Sequence, residues 1–424
     1  MSEVFITLFF LVFAIVMFVW EIIPLSITAM IVAVGLTVSG VLEPADAFAG
    51  FVNENVLLFM AMFIVGAAFF ETGMAQKVGE VVTKFAKTEK QLIIAVMIVA
   101  GLMSGFLSNT GTAAVLIPCV IGIAAKSGFS RSRLLLPLVL AAAMGGNLSL
   151  IGAPGNMIAQ SALQDIGLEF GFFEYAKAGL PILIVGILYF SLFGHKLLPK
   201  GEDTLLDSDS IYNKQIDYSS IPKWKQHMSF IVLVLTILAM VFEKQIGIKL
   251  YVSAWIGALI LVAMRIISES NAMKSIDMDT IMLFVGSFAL AKAIDVTGTG
   301  AVIADSIIGA VGNTPSPYVL LFVILILSAM MTNFMSNTAT TALLVPISLS
   351  IASAMDADPR AVLMATVIGG SMAYATPIGM PANTMIYSIG GYKFKDYVKA
   401  GAPLIIISII VSMILLPIFF PFYR

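Results

Sequence analysis

Residues 108–118 have the sequence SNTGTAAVLIP, which recurs without a gap as SNTATTALLVP at residues 336–346. Around this pair, four further blocks recur in the same order at offsets of 222 to 227 residues: GAPGN and GMPAN (152–156 and 379–383), EYAKAGLPI and DYVKAGAPL (from Glu174 and Asp396), ETG and VTG (71–73 and 296–298), and, more loosely, PLSITAMI and YVSAWIGA (from Pro24 and Tyr251). Five matched blocks in register predict a chain built from two homologous halves.

The composition indicates a membrane protein. It has 424 residues, of which 59% are hydrophobic and 11% charged, whereas a soluble domain carries about 25% charged residues. The net charge of −2 gives no reason to expect a nucleic-acid partner, and the single cysteine, Cys119, excludes an intrachain disulfide. Met1 to Trp20 lacks a basic start and an Ala-x-Ala cleavage site, which favours a retained first helix over a signal peptide.

Apolar segments follow one another along the whole chain, and a membrane span needs about 20 such residues. The candidate segments are 4–20, 24–41, 55–71, 91–107, 110–125, 133–164, 178–198, 228–242, 250–267, 279–296, 317–335, 338–353, 360–390 and 400–421. A polar stretch interrupts them near the middle of the chain. We therefore predict a first repeat at 1–199, a linker at 200–226 and a second repeat at 227–424.

Lysine and arginine predict the orientation. With 84–90, 126–133, 196–225, 265–274 and 393–399 in the cytoplasm, these segments together with Lys77 place 17 basic residues on that side, and 6 lie elsewhere. The hairpins 91–125 and 317–353 then enter the membrane from opposite faces. The prediction is an all-α polytopic membrane protein with two inverted-topology repeats, each with five spanning segments, one re-entrant hairpin and one broken helix. Both termini lie outside, and the linker is cytoplasmic.

Four interruptions of the apolar segments form the candidate site. They are the hairpin tips 108–110 and 336–338 and the helix breaks 152–156 and 379–383. Non-helical backbone at membrane depth is tolerated where protein or a water-filled cavity covers it, and paired broken segments indicate a transporter's binding site. The N-termini of half-helices suit an anion, while unwound carbonyls suit a small cation.

Each candidate residue also has a structural interpretation. A lone Ser-Asn-Thr is usually a turn or an N-cap, but two copies in register favour a function. Asn156 and Asn383 are alternatively helix C-caps. For the remaining polar residues near helix ends, an interfacial or structural role is expected rather than ligand binding or a proton relay. These residues are Lys177, Lys399, Glu71, Lys292 and Asp295. His195 and His227, beside the linker, have no expected chemical role.

The doubled SNT motif, each copy followed 43 or 44 residues later by Gly-x-Pro-x-Asn, resembles the divalent anion/sodium symporter family. These are bacterial relatives of the sodium-coupled dicarboxylate and citrate carriers. The resemblance covers essentially the whole chain. It implies an elevator mechanism, in which a transport unit slides against a scaffold that forms a homodimer in the cell (inner) membrane. It also implies a small anionic substrate, two or more sodium ions for coupling, and no organic cofactor.

The same resemblance implies roles for individual residues. The first sodium site would comprise Ser108, Asn109, Gly152 and Asn156. The second would comprise Ser336, Asn337, Gly379 and Asn383. The substrate would lie against Asn109, Thr110, Asn337, Thr338, Ala153 and Met380. Met380 stands where dicarboxylate carriers often have a Thr or Ser in the second break, and Ala153 is its counterpart in the first half. Gly155 and Ala382 replace a proline usual in these breaks. Many members carry an extra N-terminal helix before the first repeat; the sequence predicts no counterpart of it here, which agrees with the expected outside position of the N-terminus.

The function expected from the sequence is sodium-coupled symport of a small di- or tricarboxylate. Sulfate or another oxyanion, anion exchange and proton coupling on the same fold remain alternatives. An enzyme is disfavoured because one cysteine and two histidines offer no catalytic constellation. A channel is the remaining alternative from another class, and saturable counterflow distinguishes a carrier from it.

Overall fold

The computed structural model describes residues 2–83, 88–127, 129–199, 218, 221–311 and 316–423. Most of the predicted linker 200–226 therefore lies outside the described residues. The described residues of the first half contain ten α-helices: α1 (Glu3–Trp20), α2 (Leu25–Val38), α3 (Pro44–Ala47), α4 (Glu54–Glu71), α5 (Met74–Thr83), α6 (Glu89–Ser104), α7 (Asn109–Ser127), α8 (Ser132–Gly145), α9 (Pro154–Gln164) and α10 (Ala176–Leu192). Short 3-10 turns occupy Ala49–Val52 and Gly194–Lys196.

The second half repeats this order, and the described residues contain no strand. Its helices are α11 (Lys223–Val241), α12 (Glu243–Ile246), α13 (Leu250–Ala263), α14 (Glu269–Ser275), α15 (Met278–Val296), α16 (Thr299–Val311), α17 (Pro317–Thr332), α18 (Asn337–Ala354), α19 (Pro359–Gly370), α20 (Pro381–Ile389) and α21 (Phe394–Phe419).

Several helices are apolar enough for a membrane. Among the described residues, α1, α4, α11, α18 and α21 have the length and composition of a span, and a sixth forms if α15 and the start of α16, bent by 84°, count together. Seven further apolar helices have 10 to 17 residues. The all-helical class is confirmed, whereas the predicted ten spans and the inverted arrangement stay predictions. Notably α18, an arm of a predicted re-entrant hairpin, is itself long enough to span.

The two breaks begin earlier than the sequence indicated. Between α8 and α9 the unwound residues are 146–153, and between α19 and α20 they are 371–380. Pro154 and Pro381 each occupy the first helical position that follows. Proline is favoured there because its missing N–H is one that a helix start leaves without a partner anyway. The Gly-x-Pro-x-Asn motif therefore marks the end of each break and the first turn of the next helix.

Serine hydroxyls begin the second arm of each hairpin. Ser108 Oγ accepts a hydrogen bond of 3.1 Å from the Gly111 N–H, and Ser336 Oγ accepts one of 3.2 Å from the Ala339 N–H. Such capping satisfies a backbone donor that the first helical turn leaves unpaired. The capping interpretation of the motif thus describes what both serines do in this structure.

Helices α5 and α16 were not predicted. Each follows a matched glycine with a left-handed backbone, Gly73 (φ +73°) and Gly298 (φ +68°). This conformation favours glycine because it lacks a Cβ. The recurrence of ETG as VTG therefore reflects a turn that ends the third long helix of each half and redirects the chain into a short helix.

The halves interlock. Helix α2 packs on α15 and α4 packs on α13, which are corresponding pairs at the observed offsets; likewise α7 contacts α20 and α9 contacts α18. Glycine allows the closest approaches. A Cβ on Gly286 would lie 2.2 Å from the Ala29 carbonyl oxygen, and a Cβ on Gly145 would lie 2.1 Å from that of Gly101. Close packing of helices through small residues is typical of membrane proteins.

The α2–α15 contact yields a stability prediction. Gly286→Ala is expected to lower the free energy of unfolding by about 1–3 kcal/mol, because the new methyl group must push two backbones apart. The matched control is Gly309→Ala in α16, where a Cβ would meet no atom within 4 Å and the change favours the helix. Thermal unfolding in detergent compares the two. Equal melting temperatures for both variants would contradict the close contact.

Candidate functional site

The first break is held by one buried amide. Asn156 Nδ2 donates hydrogen bonds to the carbonyl oxygens of Gly146 (2.9 Å) and Ser149 (2.7 Å), and the residue is 0% exposed. Its own carbonyl accepts a 2.7 Å bond from the Tyr175 hydroxyl. Because Asn156 lies in the first turn of α9, it is not a C-cap. It supplies hydrogen bonds that the unwound residues would otherwise lack.

The second break repeats this arrangement atom for atom. Asn383 Nδ2 donates to the carbonyl oxygens of Ala373 (2.7 Å) and Thr376 (3.0 Å). The Tyr397 hydroxyl donates to the Asn383 carbonyl at 2.7 Å. The acceptors and the asparagine all correspond to those of the first half at an offset of 227 residues. The motif match therefore extends to the hydrogen-bond pattern.

Two hydroxyl residues at the tips were missed by the sequence analysis. Ser104 Oγ lies 2.6 Å from Asn109 Oδ1 and 2.7 Å from the Ala142 carbonyl oxygen. Thr332 Oγ1 lies 2.7 Å from the terminal atom of the Asn337 amide and 2.5 Å from the Gly370 carbonyl oxygen. A signal existed, because the repeat extends upstream as MSGFLSNT (103–110) and MTNFMSNT (331–338). Each hydroxyl links a tip asparagine to the helix that precedes the break.

Glycines allow the backbone to pack tightly around the tip asparagines. A Cβ on Gly146 would lie 2.7 Å from Asn109 Oδ1 and 3.3 Å from the Ala153 Cβ, and one on Gly152 would lie 2.5 Å from the Gly146 carbonyl oxygen. In the other half, a Cβ on Gly379 would lie 2.3 Å from the Thr332 carbonyl oxygen. We name these groups the first cradle (Ser104, Asn109, Gly146 and Gly152) and the second cradle (Thr332, Asn337, Ala373 and Gly379).

Four buried oxygens near these elements lack a hydrogen-bond partner within the described part of the chain. They form two matched pairs, Asn156 Oδ1 with Asn383 Oδ1 and Thr112 Oγ1 with Thr340 Oγ1. Leaving a buried polar atom unpaired costs about 1–3 kcal/mol. The same loss in both halves indicates oxygens that are free to accept from a bound species.

The structure assembles part of the predicted site. Asn109, Gly152 and Ala153 meet around Gly146, and the Asn337 amide lies 3.1 Å from the Gly379 carbonyl oxygen. Ala153 and Met380 cap α9 and α20 without a side-chain hydrogen bond, and their carbonyl oxygens accept from the N–H groups of Asn156 (3.1 Å) and Asn383 (2.9 Å). Both residues are buried, while Thr110 and Thr338 are partly exposed beside the tips.

Two of the other polar residues near helix ends, Lys177 and Glu71, form contacts outside the cradles. Lys177 Nζ pairs with Glu174 Oε1 at 2.7 Å and lies 5.3 Å from the centre of the Phe420 ring. Glu71 Oε2 accepts a 3.1 Å bond from Asn271.

Lys292 and Asp295 line a cavity of about 750 Å³ between α9, α15 and α18, together with Asp165. Burial raises the pKa of Asp165, Lys292 lowers it, and Asp295 raises it. The cavity runs along the middle of α15 and α18, and no cradle residue lines it.

Comparison with known proteins gives relatives that align over nearly the whole chain. The uncharacterized transporter YfbS of Escherichia coli is 25% identical, with 96% of this chain and 98% of that protein aligned. An uncharacterized transporter of Methanocaldococcus jannaschii is 26% identical over 92% of this chain and 88% of its own length. The sodium-dependent dicarboxylate transporter SdcS of Staphylococcus saprophyticus is 24% identical over 93% and 82%, respectively.

Two solved transporters have a similar fold. The YdaH transporter of Alcanivorax borkumensis superimposes with a TM-score of 0.65 at 16% identity, covering 90% of this chain and 87% of YdaH. MtrF of Neisseria gonorrhoeae superimposes with a TM-score of 0.65 at 15% identity, covering 100% of this chain and 96% of MtrF. At such identities the likeness shows the fold alone.

A family model then identifies the chain. The model of the citrate transporter family CitMHS matches residues 15–369, which include both hairpin tips and the first break. The family and the structural neighbours are membrane transporters rather than enzymes. With its apolar helices, this protein is an integral membrane transporter, and it belongs to the CitMHS citrate transporter family.

Proposed function

We propose that this chain is a secondary active transporter that couples uptake of a small di- or tricarboxylate to sodium. The observation that carries the proposal is the matched pair of cradles, in which buried oxygens and helix N-termini lie at corresponding positions of two halves. The relatives named as sodium-dependent dicarboxylate transporters support the substrate class and the coupling ion.

The anion would lie where half-helices begin. Helices α7, α9, α18 and α20 start at the tips and breaks, and a helix N-terminus carries a partial positive charge and free N–H groups. The side chains of Asn109, Thr110, Asn337 and Thr338 add donors, and Ala153 and Met380 form the apolar border of the site. Ala153 and Met380 offer the substrate fewer polar contacts than hydroxyl residues would. Sulfate or another oxyanion therefore remains the alternative substrate.

Neutral oxygens are suited to the coupling ion. In transporters of broken-helix architecture, unwound carbonyls and half-helix C-termini coordinate sodium. We propose that Ser108, Asn109, Gly152 and Asn156 hold one ion and that Ser336, Asn337, Gly379 and Asn383 hold another, with Ser104 and Thr332 contributing hydroxyl oxygens. The unpaired Oδ1 atoms of Asn156 and Asn383 fit a bound cation. No metal-binding cluster of His, Cys, Asp or Glu occurs within the described ranges.

Coupling follows from electrostatics. The cradles offer neutral ligands, so a cation alone in the site lacks a countercharge, and an anion alone faces only partial charges. Opposite charges at close range attract more strongly in a low-dielectric interior than in water. Each ion therefore raises the affinity for the other, which is the requirement for symport.

The uptake prediction uses proteoliposomes. With an inward sodium gradient, wild-type protein is expected to accumulate radiolabelled succinate or citrate. Asn109→Ala and Asn337→Ala are each expected to lower the uptake rate at least about a hundredfold, because each substitution removes an amide oxygen proposed to bind the ion and a hydrogen bond that holds the tip. Asn271→Ala is the control, since it removes an exposed amide from α14. Normal uptake by both tip variants would contradict the proposed binding site.

The same assay separates the alternatives. Sodium-dependent uptake of sulfate alone would indicate the oxyanion carrier. Uptake that persists in potassium and follows a pH gradient would indicate proton coupling, and uptake that requires anion on the inside would indicate exchange. Saturation and counterflow would be absent from a channel.

An elevator movement is supported by a difference between the halves. Asn55 Nδ2, at the start of α4, donates to Ser161 Oγ (2.7 Å) and Gln164 Oε1 (2.8 Å) near the end of α9. The corresponding residues of the other half are Thr280 and Ser388. Thr280 instead donates to Asp277 at 2.6 Å, and Ser388 is exposed.

We propose that α6–α10 and α17–α21 form the transport unit and that α1, α2, α4, α11, α13 and α15 form the scaffold. The Asn55–Ser161 contact then joins the scaffold to the transport unit at one end of the elevator movement. If the two halves exchange conformations, the transport unit moves until Ser388 reaches Thr280. The alternate state would therefore lack the Asn55–Ser161 contact and contain a Thr280–Ser388 contact.

Cysteine cross-linking tests this movement in a Cys119→Ala background. Asn55→Cys with Ser161→Cys is expected to cross-link with a short bifunctional reagent in the resting protein and to block transport. Thr280→Cys with Ser388→Cys is expected to cross-link faster when sodium and substrate permit turnover. Cross-linking of both pairs at rates that turnover leaves unchanged would contradict the movement.

We further propose the orientation given by the basic residues, with both termini outside, the linker 200–226 in the cytoplasm, and the protein in the cell (inner) membrane. A homodimer formed through the scaffold, as the family resemblance implies, is part of the same proposal. Labelling of single cysteines at Ser2 and in the linker by a membrane-impermeant thiol reagent checks the orientation in intact cells.

A further inference from the structure

The two breaks contact each other through one pair of side chains. Asn147 lies at the start of the first break and Ser371 at the start of the second, 224 residues away, yet Ser371 Oγ lies 3.1 Å from Asn147 Oδ1. Both residues are buried, with exposed fractions of 1% and 4%. We name this contact the bridge. Within the described part of the chain, it is the one hydrogen bond that joins residues 146–153 to residues 371–380.

The bridge exists in either orientation of the amide. Ser371 Oγ also lies 3.0 Å from the Val367 carbonyl oxygen, one turn back in α19, and a serine hydroxyl has one hydrogen to donate and two acceptor positions. With Oδ1 toward the serine, the hydroxyl shares its hydrogen between the two oxygens. With the amide turned over, Nδ2 donates to the hydroxyl, which donates to Val367. The two side chains are therefore hydrogen-bonded in both cases.

Each bridge residue directly follows a glycine whose carbonyl is bound by a polar side chain of the candidate site. The Gly146 carbonyl accepts from Asn156 Nδ2 at 2.9 Å, and the Gly370 carbonyl accepts from Thr332 Oγ1 at 2.5 Å. Asn156 is a proposed ligand of one ion, and Thr332 is a proposed ligand of the other. The bridge therefore completes a continuous network of peptide groups and hydrogen bonds between the two proposed cation sites.

The ends of this network are tightly packed. A Cβ on Gly179 of α10 would lie 2.0 Å from the Asn147 carbonyl oxygen, so α10 packs directly on the start of the first break. Helix α21 packs on the second break in the same way, because a Cβ on Gly401 would lie 2.0 Å from the Tyr374 carbonyl oxygen. Closely packed interiors have low compressibility and transmit strain. A shift of one break is therefore passed to the other through the bridge.

The repeat does not supply a second bridge. At an offset of 227, Asn147 corresponds to Tyr374, and Ser371 corresponds to Met144. The Met144 sulfur lies against α10, 2.5 Å from where a Cβ of Gly186 would stand, and a thioether is a weak acceptor. The symmetry of the halves therefore does not account for the bridge, which indicates a role specific to Asn147 and Ser371.

We propose that Asn147 and Ser371 are positioning residues that couple the two cation sites: an ion bound in one half orders its own break, and the bridge orders the break of the other half. The other ion then loses less conformational entropy on binding, which raises its affinity. Such coupling is reciprocal, so either ion assists the other. This inference rests on the proposed sodium coupling.

Sodium binding can be measured without transport. Binding of radioactive sodium to purified full-length protein in detergent, with choline chloride keeping the ionic strength constant, gives a Hill coefficient. A coupling of about tenfold between two equivalent sites corresponds to a Hill coefficient of about 1.5 and a half-saturating concentration about threefold lower than that of independent sites. The wild type is expected to show this cooperativity.

Removal of the bridge is expected to make the sites independent. Asn147→Leu and Ser371→Ala are each expected to lower the Hill coefficient to about 1 and to raise the half-saturating sodium concentration about threefold. The double variant is expected to match the single variants, since all three lack the same contact. Ser371→Thr retains the hydroxyl and is expected to restore the cooperativity of the wild type.

A matched control separates coupling from stability. Ser348→Ala removes a buried 2.7 Å hydrogen bond to Thr366, between α18 and α19 and away from the breaks. It is expected to lower the melting temperature without changing the Hill coefficient. Size-exclusion profiles verify that each variant is folded. An equal loss of cooperativity in Ser348→Ala would show a general structural effect and overturn the role of the bridge.

The remaining outcomes separate the two proposals. Cooperative binding that Asn147→Leu and Ser371→Ala leave unchanged would overturn the role of the bridge and preserve sodium coupling. Saturable but non-cooperative binding in the wild type would overturn the coupling of the two sites, while sodium would still be the bound ion. No saturable sodium binding in the wild type would overturn sodium coupling itself, and the role of the bridge with it.

Discussion

The cost of unpaired backbone groups away from water is the constraint on which this structure depends. Each unpaired N–H or C=O in the hydrocarbon region costs several kcal/mol, and the unwound residues 146–153 and 371–380 have left their helices. Asn156 and Asn383 meet this demand by donating to two carbonyls each, and Tyr175 and Tyr397 hold the carbonyls of those asparagines. Tyr175, the N-cap residue of α10, and Tyr397, in the first turn of α21, therefore support the candidate site, because they position the asparagines that donate to the breaks.

The same solution creates the chemistry. An amide that uses both hydrogens on carbonyls presents its oxygen elsewhere, and the oxygens of Asn156 and Asn383 are buried without a partner among the described residues. A frame of donated bonds therefore leaves acceptors in excess. Excess acceptors fit a cation, and helix N-termini fit an anion. Structural necessity and proposed function thus arise from one arrangement of backbone and amides.

Much of this arrangement could be predicted from the sequence, because repeated motifs mark positions that both halves require. SNT marked the tips and Gly-x-Pro-x-Asn marked the breaks. The exact bounds of the breaks were not predictable, since proline at a helix start looks the same in sequence as proline inside a break. Ser104 and Thr332 were not predicted because the two positions differ in residue type between the repeats, although both side chains supply a hydroxyl. The partners of the Asn337 amide were not predictable either, because Gly370 and Gly379 are distant from it in sequence.

The departures from the family pattern have a physical reason at one position. A Cβ on Gly155 would lie 2.7 Å from Thr341 Oγ1, in the first helix after the second tip. Residue 155 is therefore in close contact with the other half, and a proline ring there would collide with Thr341 rather than stiffen α9. At the corresponding contact the residues are Ala382 and Ala113, which have no hydroxyl. The repeats thus share a symmetric backbone but fill it differently at their interface. At the proposed site, an anion would therefore face unlike surroundings on its two sides, and its selection would depend on the differences between the halves as well as on the motifs that they share.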